Sequence, residues 1–453
     1  MLSRNLSSNA VFYISLAAFV VFSKHIFDNV FRASQLIIDE EFHLQQGLLY
    51  CNFTFNTWNP KITTLPGLYL ISAAILGPLQ LCSVYGLRFT NLLGSFLNLI
   101  LFRKYLTLQN PKHSWSNLMS SINIAILPPL YFFSHVYYTD VLSITFILLA
   151  SIAQKKNNHI MASLYGALSV MMRQTNIVWV VFLLGQYALK QFLVHLKKKH
   201  SDICISDLAP LQRHLKVQNI LRNLFSKSHQ FWTNIATYIL VLAAFVLFIF
   251  MNGSIVVGDK SAHTASLHVP QLFYFLVFCL IFGWPYFVRE LSHFFSYIRN
   301  RFIFSVLVLT IFAIIVYVNT LEHDYLLADN RHYTFYIWNR FYAKYKLFRY
   351  LMVLVYYFGL YGLLSNLNAN RKIILTFMFL LCTTTVLVFQ KMIEVRYFLI
   401  PYVLFRLHLE NVKWSNLLLE FCTFCTINLA TFYVFFTKDI YWSDYDYVQK
   451  LIW

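Results

Sequence analysis

Charged side chains are scarce in this sequence. Only 12% of its 453 residues are Asp, Glu, Lys or Arg, about half the share of a typical soluble domain, while 58% are hydrophobic. So few charges could not cover a water-facing surface, and so many apolar residues exclude a disordered chain. Glycine and proline are scarce as well, at 12 and 10 residues, so long stretches are free to be helical. The composition predicts an all-α, polytopic membrane protein.

Acidic residues are half as numerous as basic ones, 18 against 36, which gives a formal net charge of +18. In a soluble protein that charge would suggest nucleic acid as a partner. Here the basic residues fall mostly between apolar segments, where they determine the topology of a membrane protein. We therefore expect the lipid bilayer as a partner and no nucleic acid.

Several signatures of soluble enzymes are missing. The sequence has no Walker A loop, no Rossmann glycine fingerprint, no HExxH zinc motif and no pair of CxxC motifs. The seven cysteines are scattered and odd in number. Cys422 and Cys425 form one CxxC, but inside an apolar segment and without a histidine cluster. We expect the cysteines to be packed small residues, and we expect no metal site and no cofactor.

Runs of apolar residues predict about 13 membrane crossings in a single domain, residues 1–453. The first run follows a basic residue and lacks a cleavage site, so we interpret it as a retained helix rather than a signal peptide. The predicted runs are 9–24, 66–81, 87–102, 120–134, 139–153, 160–189, 232–252, 269–288, 302–319, 348–365, 374–390, 397–409 and 415–437.

The distribution of positive charge predicts which loops face the cytosol. Residues 190–231 contain eight Lys or Arg residues and only two Asp residues, so we place this basic loop in the cytosol. Alternation of the following crossings then puts 253–268, 320–347 and 391–396 in the lumen. The first loop, 25–64, is luminal as well if the chain begins in the cytosol.

Two arrangements of residues 66–190 satisfy this topology. In one, the run 160–189 crosses once and Asp140 is cytosolic. In the other, 160–189 turns back at Arg173 and Asp140 is luminal. The positive-inside rule favours the second arrangement, because it also places two basic pairs in the cytosol. Those pairs are Arg103–Lys104 and Lys155–Lys156.

The first loop contains three consecutive acidic residues, Asp39, Glu40 and Glu41, in a chain with only 18 acidic residues. On a helix, Asp39 and His43 would lie on one face, a single turn apart. A carboxylate held there could act as a general base toward a sugar hydroxyl. The same residues also suit a solvated helix start, where the helix dipole favours acidic side chains. Spacing alone favours the second interpretation.

The loop at 320–347 combines charged and aromatic residues. Arginine can bind a phosphate through two parallel hydrogen bonds, and aromatic side chains concentrate at the bilayer interface. The combination suits either a phosphate at headgroup depth or a plain interfacial anchor, and the sequence does not separate the two. The residues concerned are Asp329, Asn330, Arg331, His332 and Tyr333.

Ionisable residues also occur within the apolar segments. Arg173 lies in the middle of one segment, Asp140 lies in another, and Glu394 and Arg396 form a pair at a helix end. Such residues are costly in a bilayer and usually face a cavity or a partner. One interpretation is a transporter or channel in which Arg173 and Asp140 line a pathway. The inverted repeats and Gly/Pro-broken helices of transporters are not evident in the sequence.

These segments together resemble the dolichyl-phosphoglucose-dependent α-1,2-glucosyltransferase family of N-glycan precursor assembly, over essentially the whole chain. The run ADNRHYTFY is the most specific match. The matching motifs are Asp39-Glu40-x-Phe42-His43, Trp58-Asn59-Pro60-Lys61-Ile62-Thr63-Thr64-Leu65-Pro66-Gly67-Leu68-Tyr69, Tyr137-Tyr138-Thr139-Asp140, Arg173-Gln174-Thr175-Asn176, Leu326-Leu327-Ala328-Asp329-Asn330-Arg331-His332-Tyr333-Thr334-Phe335-Tyr336 and Arg396-Tyr397-Phe398.

The resemblance implies a GT-C-type glycosyltransferase fold in the endoplasmic reticulum membrane, with the active site facing the lumen. It implies dolichyl phosphate β-glucose as the donor and the dolichyl-diphosphate-linked oligosaccharide with two glucoses as the acceptor. The product would have a terminal α-1,2-linked glucose, so the reaction would proceed with inversion. Since a phosphate leaves readily, the reaction would not require a metal ion.

The resemblance also implies roles for individual residues. Asp39 would be the catalytic base, and Glu40 is an alternative that the sequence does not separate from it. The implied donor-phosphate ligands are Arg173, Arg331, His332 and Arg396. The implied substrate-binding residues are His43, Trp58, Lys61, Asp140, Asp329, Asn330 and Tyr333.

Two further interpretations stay open at this point. A GT-C enzyme that uses another dolichyl-phosphate sugar, such as mannose, would share an acidic first loop but not the ADNRHYTFY run. A non-catalytic subunit that modulates another membrane protein would have no need of the acidic first loop.

Two N-glycosylation sequons lie in loops that are predicted to be luminal. They are Asn52-Phe53-Thr54 and Asn252-Gly253-Ser254. Both lie near predicted membrane segments, and occupancy of either one would confirm the topology.

Overall fold

The structure, a computed structural model, describes residues 2–199, 229–260, 266–322, 327, 329–368, 373–442 and 445–453. Its α-helices, numbered in chain order, are α1 (Leu2–Ala33), α2 (Glu40–Cys51), α3 (Gly67–Leu76), α4 (Val84–Gln109), α5 (Ser114–Ala125), α6 (Pro128–Phe133), α7 (Asp140–Lys155), α8 (His159–Met172), α9 (Ile177–Lys199), α10 (His229–Asn252), α11 (Pro270–Phe287), α12 (Leu291–Asn300), α13 (Phe302–Asn319), α14 (Tyr333–Ile337), α15 (Lys346–Leu367), α16 (Ile373–Leu387), α17 (Leu399–His408) and α18 (Trp414–Thr437).

Shorter elements link these helices. Three turns of 3-10 helix occur at Gln174–Asn176, Val288–Glu290 and Val395–Phe398, and a π-helix occurs at Trp338–Ala343. Two short antiparallel strands, β1 (Asp439–Ile440) and β2 (Gln449–Lys450), follow α18. Most of the predicted basic loop, 190–231, lies outside the described residues.

Seven helical stretches in the described part of the chain are long and apolar enough to cross a bilayer. The prediction of an all-α polytopic membrane protein is therefore confirmed, whereas the count of about 13 crossings stays a prediction. Other apolar helices, such as α8 with 14 residues, are shorter than the roughly 20 residues that a perpendicular crossing needs. The seven stretches are Ser7–Ala33, Val84–Gln109, His229–Asn252, Pro270–Asn300, Phe302–Asn319, Lys346–Leu367 and Trp414–Thr437.

The apolar run at 160–189 is broken in two. Helix α8 ends at Met172, Arg173 has an extended backbone, and α9 begins at Ile177 after one turn of 3-10 helix. The Arg173 side chain forms an ion pair with Asp140, the first residue of α7, so both residues lie at the same end of the helices. This geometry agrees with the second of the two predicted arrangements.

The start of α7 lies deeper in the helix bundle than the start of α4. The side chain of Asn91 on α4 donates to the carbonyl oxygens of Val136 and Tyr138, at 2.7 Å each, just before Asp140. Asn91 is seven residues after Val84, the first residue of α4, which corresponds to about 10 Å along the helix axis. Asp140 is therefore recessed between the helices instead of standing at their ends.

Loops that are predicted to be luminal meet at this same end of the molecule. The backbone N–H of Asp259 donates to the carbonyl oxygen of Pro60 at 2.7 Å, so residues 253–260 contact the first loop. Gly258 makes this approach possible, because its φ is +67° and a Cβ atom there would lie 2.4 Å from the Pro60 oxygen. At the opposite end, Lys155 of α7 donates to Gln109 of α4 at 3.2 Å.

A disulfide joins Cys51, the last residue of α2, to Cys82 just before α4. The expectation that the cysteines are only packed small residues is therefore wrong for this pair. The sequence concealed the pairing because Cys51 and Cys82 are 31 residues apart and the total number of cysteines is odd. Cys422 and Cys425 are free thiols.

A second buried ion pair lies in the helical core, away from these loops. Arg406 on α17 donates to both carboxylate oxygens of Glu420 on α18, at 2.6 and 2.7 Å. Tyr286 on α11 and Asn123 on α5 donate to the same carboxylate, at 2.7 and 2.8 Å. Four helices therefore meet at one carboxylate, which has a hydrogen-bond donor for each of its oxygens.

We expect the Arg406→Leu variant to be strongly destabilised, by about 3–5 kcal/mol, because it leaves the Glu420 carboxylate buried without a counter-charge. The double variant Arg406→Leu/Glu420→Leu should recover a large part of this loss, since it removes both charges. Thermal unfolding of the purified variants in detergent measures both effects. A double variant no more stable than the single one would contradict this account of the pair.

Candidate active site

Five charged side chains from four segments converge at the recessed end of α7. We call Asp39, Asp140, Arg173, Glu394 and Arg396 the charge cluster. Arg396 is at its centre, with its nitrogens 2.6 Å from Glu394, 3.5 Å from Asp39 and 4.0 Å from Asp140. Arg173 pairs with the other oxygen of Asp140. All five residues belong to motifs or pairs that the sequence had singled out.

Aromatic rings form the walls of the charge cluster. The guanidinium of Arg396 lies 4.8 Å from the centre of the Tyr138 ring and 5.7 Å from that of Phe133. The guanidinium of Arg173 lies 5.3 Å from the Tyr397 ring. Each cation is attracted to the ring face and is held in place without using all its hydrogen-bond donors. The site is thus partly apolar and is charged at its centre.

The three carboxylates of the cluster differ in how open they are. The side chain of Asp39 is 50% exposed, that of Glu394 is 12% exposed and that of Asp140 is 2% exposed. Asp39 directly precedes α2, and its side chain does not cap that helix. Its closest cation is Arg396, at 3.5 Å. Asp39 is therefore the carboxylate of the cluster that a ligand can reach most easily.

Glu40, the alternative candidate for the base, is not available for that role. Its side chain is fully buried and accepts hydrogen bonds from Arg88 at 2.6 and 2.8 Å. The backbone N–H of Tyr137 also donates to it, at 2.7 Å. With both oxygens occupied and no access for a substrate, Glu40 is a structural residue. The structure thereby separates two neighbours that the sequence could not.

The residue before Asp39 has an unusual backbone conformation. Ile38 has a φ of +48°, a region that β-branched residues rarely adopt because of steric strain. The neighbouring carbonyl oxygen of Ile37 accepts from the Tyr138 hydroxyl at 3.0 Å and from the Glu40 N–H at 2.9 Å. These contacts hold the turn, and the turn directs the Asp39 side chain toward Arg396. Strained residues of this kind concentrate at functional sites.

His43 lies one turn of α2 after Asp39, as the sequence spacing predicts. Its Nδ1 is 2.6 Å from the Tyr69 hydroxyl, and its ring also contacts the ring of Tyr138. Burial lowers the pKa of His43 to about 4, although the nearby Asp39 carboxylate acts in the opposite direction. The imidazole is therefore neutral at neutral pH. It can exchange hydrogen bonds with a sugar but adds no positive charge to the site.

Trp58 and Lys61, the other first-loop candidates, lie beside this site. The ring of Trp58 packs against Tyr50 and Tyr69, and its indole N–H donates to the carbonyl oxygen of Ile62. Lys61 is exposed, with its ammonium 4.6 Å from the ring of Phe42 on α2. Trp58 therefore supports the loop, while Lys61 is a surface cation that lies over the Phe42 ring near the start of α2.

The charged residues of the ADNRHYTFY run form a separate group, which we call the C-terminal clasp, residues 329–333 with 439–442 and 445–453. Arg331 donates to both oxygens of Asp329 at 2.9 Å and to the side chain of Gln449 at 3.0 Å. Its guanidinium also lies 4.0 Å from the centre of the Trp442 ring. The backbones of Arg331 and Ile452 are hydrogen-bonded as well, at 2.8 Å.

These contacts argue against a phosphate-binding role for Arg331 and His332. Each of the three guanidinium nitrogens of Arg331 already donates a hydrogen bond, and Nδ1 of His332 lies 3.2 Å from the Trp453 carbonyl oxygen. Burial alone would raise the pKa of Asp329, but the hydrogen bonds and charge of Arg331 and the charge of His332 outweigh it and hold that pKa below its usual value. Asp329 therefore stays ionised and keeps Arg331 engaged.

The remaining two candidates also belong to the clasp. The Asn330 side-chain oxygen accepts from the Trp442 indole at 2.8 Å. The ring of Tyr333 packs on that of Trp453, with centroids 5.0 Å apart. Neither contact involves the charge cluster, so the substrate-binding role predicted for Asp329, Asn330 and Tyr333 gains no support from this geometry.

The described residues contain no group of three or more His, Cys, Asp or Glu side chains arranged to hold a metal ion. The carboxylates of the charge cluster are interleaved with arginines instead. The arrangement can accept a proton at Asp39 and can offer guanidinium N–H groups to an anion.

Comparison with known sequences identifies the family of the chain. The sequence model of the DIE2/ALG10 family matches residues 33–407, which include the whole charge cluster. The chain belongs to this family. No solved structure matches it.

Relatives within the family are similar over nearly their full length. One from Drosophila melanogaster is 42% identical, with 96% of this chain and 97% of that protein aligned. One from Mus musculus is 35% identical, with 98% and 97% aligned, and one from Arabidopsis thaliana is 31% identical, with 92% and 94% aligned. All three are named Dol-P-Glc:Glc(2)Man(9)GlcNAc(2)-PP-Dol alpha-1,2-glucosyltransferase. The resemblance found in the sequence is confirmed.

Sequence reasoning missed several residues of this family member's site. Arg88 escaped attention although it is an ionisable residue in an apolar run, which is the signal that had identified Arg173. Tyr138 and Tyr397 stand inside the motifs that contain Asp140 and Arg396, but they were not assigned a role. Their position next to the charged residues was the available signal.

The different environments of Asp39 and Glu40 generate a prediction. Asp39→Asn should lower turnover by about 10²–10⁴-fold and leave thermal stability nearly unchanged, because it removes a base but no buried contact. Glu40→Gln should lower the unfolding temperature markedly, because it leaves Arg88 buried without its counter-charge. Glucosyl-transfer rates and thermal unfolding of the purified variants separate the two effects.

Glu41→Gln is the matched control, because it removes a third neighbouring carboxylate that is outside both the charge cluster and the Arg88 contact. It should change neither turnover nor stability appreciably. Near wild-type turnover in folded Asp39→Asn protein would eliminate Asp39 as the base.

Proposed function

We propose that this chain transfers glucose from dolichyl phosphate glucose to the dolichyl-diphosphate-linked oligosaccharide that already has two glucoses, and that it forms the terminal α-1,2 linkage. The proposal depends on its 42% identity, over 96% of the chain, to a Drosophila melanogaster relative named for that reaction. Transport has less support, since Asp140 and Arg173 are paired with each other rather than left to line a pathway.

Asp39 is the base in the proposed mechanism. The acceptor hydroxyl oxygen attacks C1 of glucose on the face opposite the phosphate, and the hydroxyl proton passes to the Asp39 carboxylate. The bond between C1 and the phosphate oxygen breaks, and its electron pair stays on the departing dolichyl phosphate. Because there is a single displacement, a β-linked donor gives an α-linked product. A phosphate departs readily, so the mechanism requires no metal ion or cofactor.

Arg173 is the favoured ligand for the departing phosphate. In the part of the chain that the structure describes, its hydrogen bond to protein comes from Nη1, to Asp140, so Nε and Nη2 can donate to a ligand. Arg396 is instead shared among three carboxylates, and Arg331 is occupied in the C-terminal clasp. Arg173 can therefore stabilise the negative charge that develops on the phosphate without first losing a partner.

The depth of the charge cluster suits a donor that is anchored in lipid. The cluster lies about 10 Å below the start of the spanning helix α4, within the interfacial region rather than out in the solvent. A dolichyl phosphate could reach this level while its polyprenyl chain stays in the bilayer. The acceptor sugar would enter from the aqueous side, where Asp39 is exposed.

We further propose that the site faces the lumen of the endoplasmic reticulum. The disulfide between Cys51 and Cys82 supports this orientation, because it connects the first loop to α4 at the same end as Asp39. Disulfides persist in oxidising compartments and are rare in the cytosol. The charge distribution of the sequence supports the same orientation.

A transfer assay tests the proposed reaction directly. Purified protein in detergent is given synthetic dolichyl phosphate glucose together with a lipid-linked acceptor that has either one or two glucoses. We expect transfer to the two-glucose acceptor and at least 10-fold less transfer to the other. Equal transfer to both would contradict the proposed acceptor, and transfer to neither by folded protein would contradict the proposed activity.

The role of Arg173 gives a second test. Arg173→Gln should lower turnover by about 10²–10³-fold, the usual effect of losing one donor to a developing oxyanion, with a smaller change in KM. Arg289→Gln is the control, because Arg289 is outside the charge cluster and donates to Ser415 at 2.9 Å. If both variants turn over at the same rate as the parent, the phosphate ligand lies elsewhere.

A further inference from the structure

We propose that this protein is itself N-glycosylated at Asn52, and that its other sequon in a proposed luminal loop, Asn252-Gly253-Ser254, stays unmodified. The modifying group is an oligosaccharide transferred from a lipid diphosphate. The inference rests on the orientation proposed above, in which the first loop faces the lumen, but it concerns a site that plays no part in glucose transfer.

The first observation is the exposure of the Asn52 sequon. Every residue from 52 to 57 is exposed, including the whole of Asn52-Phe53-Thr54. The Asn52 side-chain amide forms no hydrogen bond with the residues that the structure describes, although its backbone N–H closes the last turn of α2. Both amide protons of Asn52 therefore point to solvent, and a glycan can be attached without displacing any contact.

The second observation is the distance of Asn52 from the membrane-spanning helices along the chain. It lies 19 residues after Ala33, the end of α1, and 15 residues before Gly67, the start of the short apolar helix α3 in the predicted crossing 66–81. Such a length of chain can extend well beyond the bilayer surface while the protein is being inserted. A transferring enzyme whose active site stands outside the membrane can therefore reach Asn52 during synthesis.

The sequon at Asn252 differs on both points. Asn252 is the last residue of the spanning stretch His229–Asn252, so it cannot leave the membrane surface without unwinding the helix. Its side-chain nitrogen donates to the carbonyl oxygens of Ser254 and Val256, at 2.8 Å each, and this uses both amide protons. The geometry therefore favours modification of Asn52 and disfavours modification of Asn252.

The chemistry connects this site to the proposed function. In the modification, the Asn52 amide nitrogen bonds to C1 of the oligosaccharide, the bond from C1 to the diphosphate oxygen breaks, and the amide proton passes to a base of the transferring enzyme. The oligosaccharide donor is of the same class as the proposed product of this protein. The protein would then be modified by the type of reaction that uses its own product as the donor.

The glycan would leave the active site open. Asn52 is at the far end of α2 from Asp39, about 20 Å along the helix axis. It stands beside two exposed aromatic side chains, Phe53 and Phe55, which a glycan would shield. We therefore expect Asn52→Gln to retain glucosyl-transfer activity within about twofold of the parent.

The test is expression of the full chain in cultured eukaryotic cells and electrophoresis before and after endoglycosidase treatment. We expect the parent to shift by one glycan. Asn52→Gln and Thr54→Ala should abolish the shift, whereas Thr54→Ser and Asn252→Gln should keep it. A parent that does not shift, or a shift that only Asn252→Gln removes, would overturn the proposal.

A sequon added after Trp453 tests the proposed luminal orientation separately from the modification of Asn52. The C-terminal segment is hydrogen-bonded to Arg331, among the loops proposed to be luminal, so an Asn-Gly-Thr tag on a flexible linker after Trp453 reports that side. A modified tag with unmodified Asn52 refutes the Asn52 site and leaves the orientation intact. If the tag and Asn52 are both unmodified, the orientation is refuted as well.

Discussion

The charge cluster depends on one buried ion pair, Arg88 with Glu40. Arg88 also donates to the carbonyl oxygen of Gln35 at 2.9 Å, and Glu40 accepts from the backbone N–H of Tyr137 at 2.7 Å. One contact thus connects the end of α1, the start of α2 and the segment that leads into Asp140. Burying two charges is expensive, and a well-packed apolar pair would often be as stable. What the ion pair adds is a fixed geometry among residues 35–40, Arg88 on α4 and the segment at Tyr137, which lie far apart in the sequence.

The openness of Asp39 follows from that constraint. Successive residues at the start of a helix point about 100° apart, so when Glu40 faces inward to Arg88 its neighbour must face elsewhere. The strained turn at Ile38 then directs Asp39 toward Arg396 at the edge of the cluster. With three carboxylates, two guanidiniums and a neutral His43, the cluster has a net charge of about −1. The proposed mechanism therefore assigns proton acceptance to Asp39, the carboxylate that a substrate can reach most easily, and phosphate binding to Arg173, the arginine with N–H groups to spare.

The sequence predicted the fold class and the members of the charge cluster because both have local signals. Apolar runs predict helices in a membrane, and an ionisable residue within such a run, like Arg173, indicates a partner at depth. The sequence did not predict contacts between residues that are far apart along the chain. Asp39 and Glu40 are equivalent as neighbours and are distinguished only by Arg88, 48 residues further along from Glu40. The disulfide from Cys51 to Cys82 and the contact between Arg331 and Gln449 were hidden in the same way.

The ADNRHYTFY run shows that packing can depend on a specific sequence. Its Arg331 is held by Asp329, Gln449 and the Trp442 ring, and its backbone pairs with Ile452. Each of these contacts requires a particular side chain, since neither lysine nor an apolar residue could form the bidentate pair and stack on the indole at once. Packing alone therefore demands as exact a sequence here as chemistry would. The clasp is linked to the catalytic side indirectly: burial and, after it, the charge of Glu41 in the first loop raise the pKa of Tyr447 in the C-terminal segment. The motif holds the C-terminal segment in place, and the charge cluster contains the groups to which the proposed mechanism assigns the reaction.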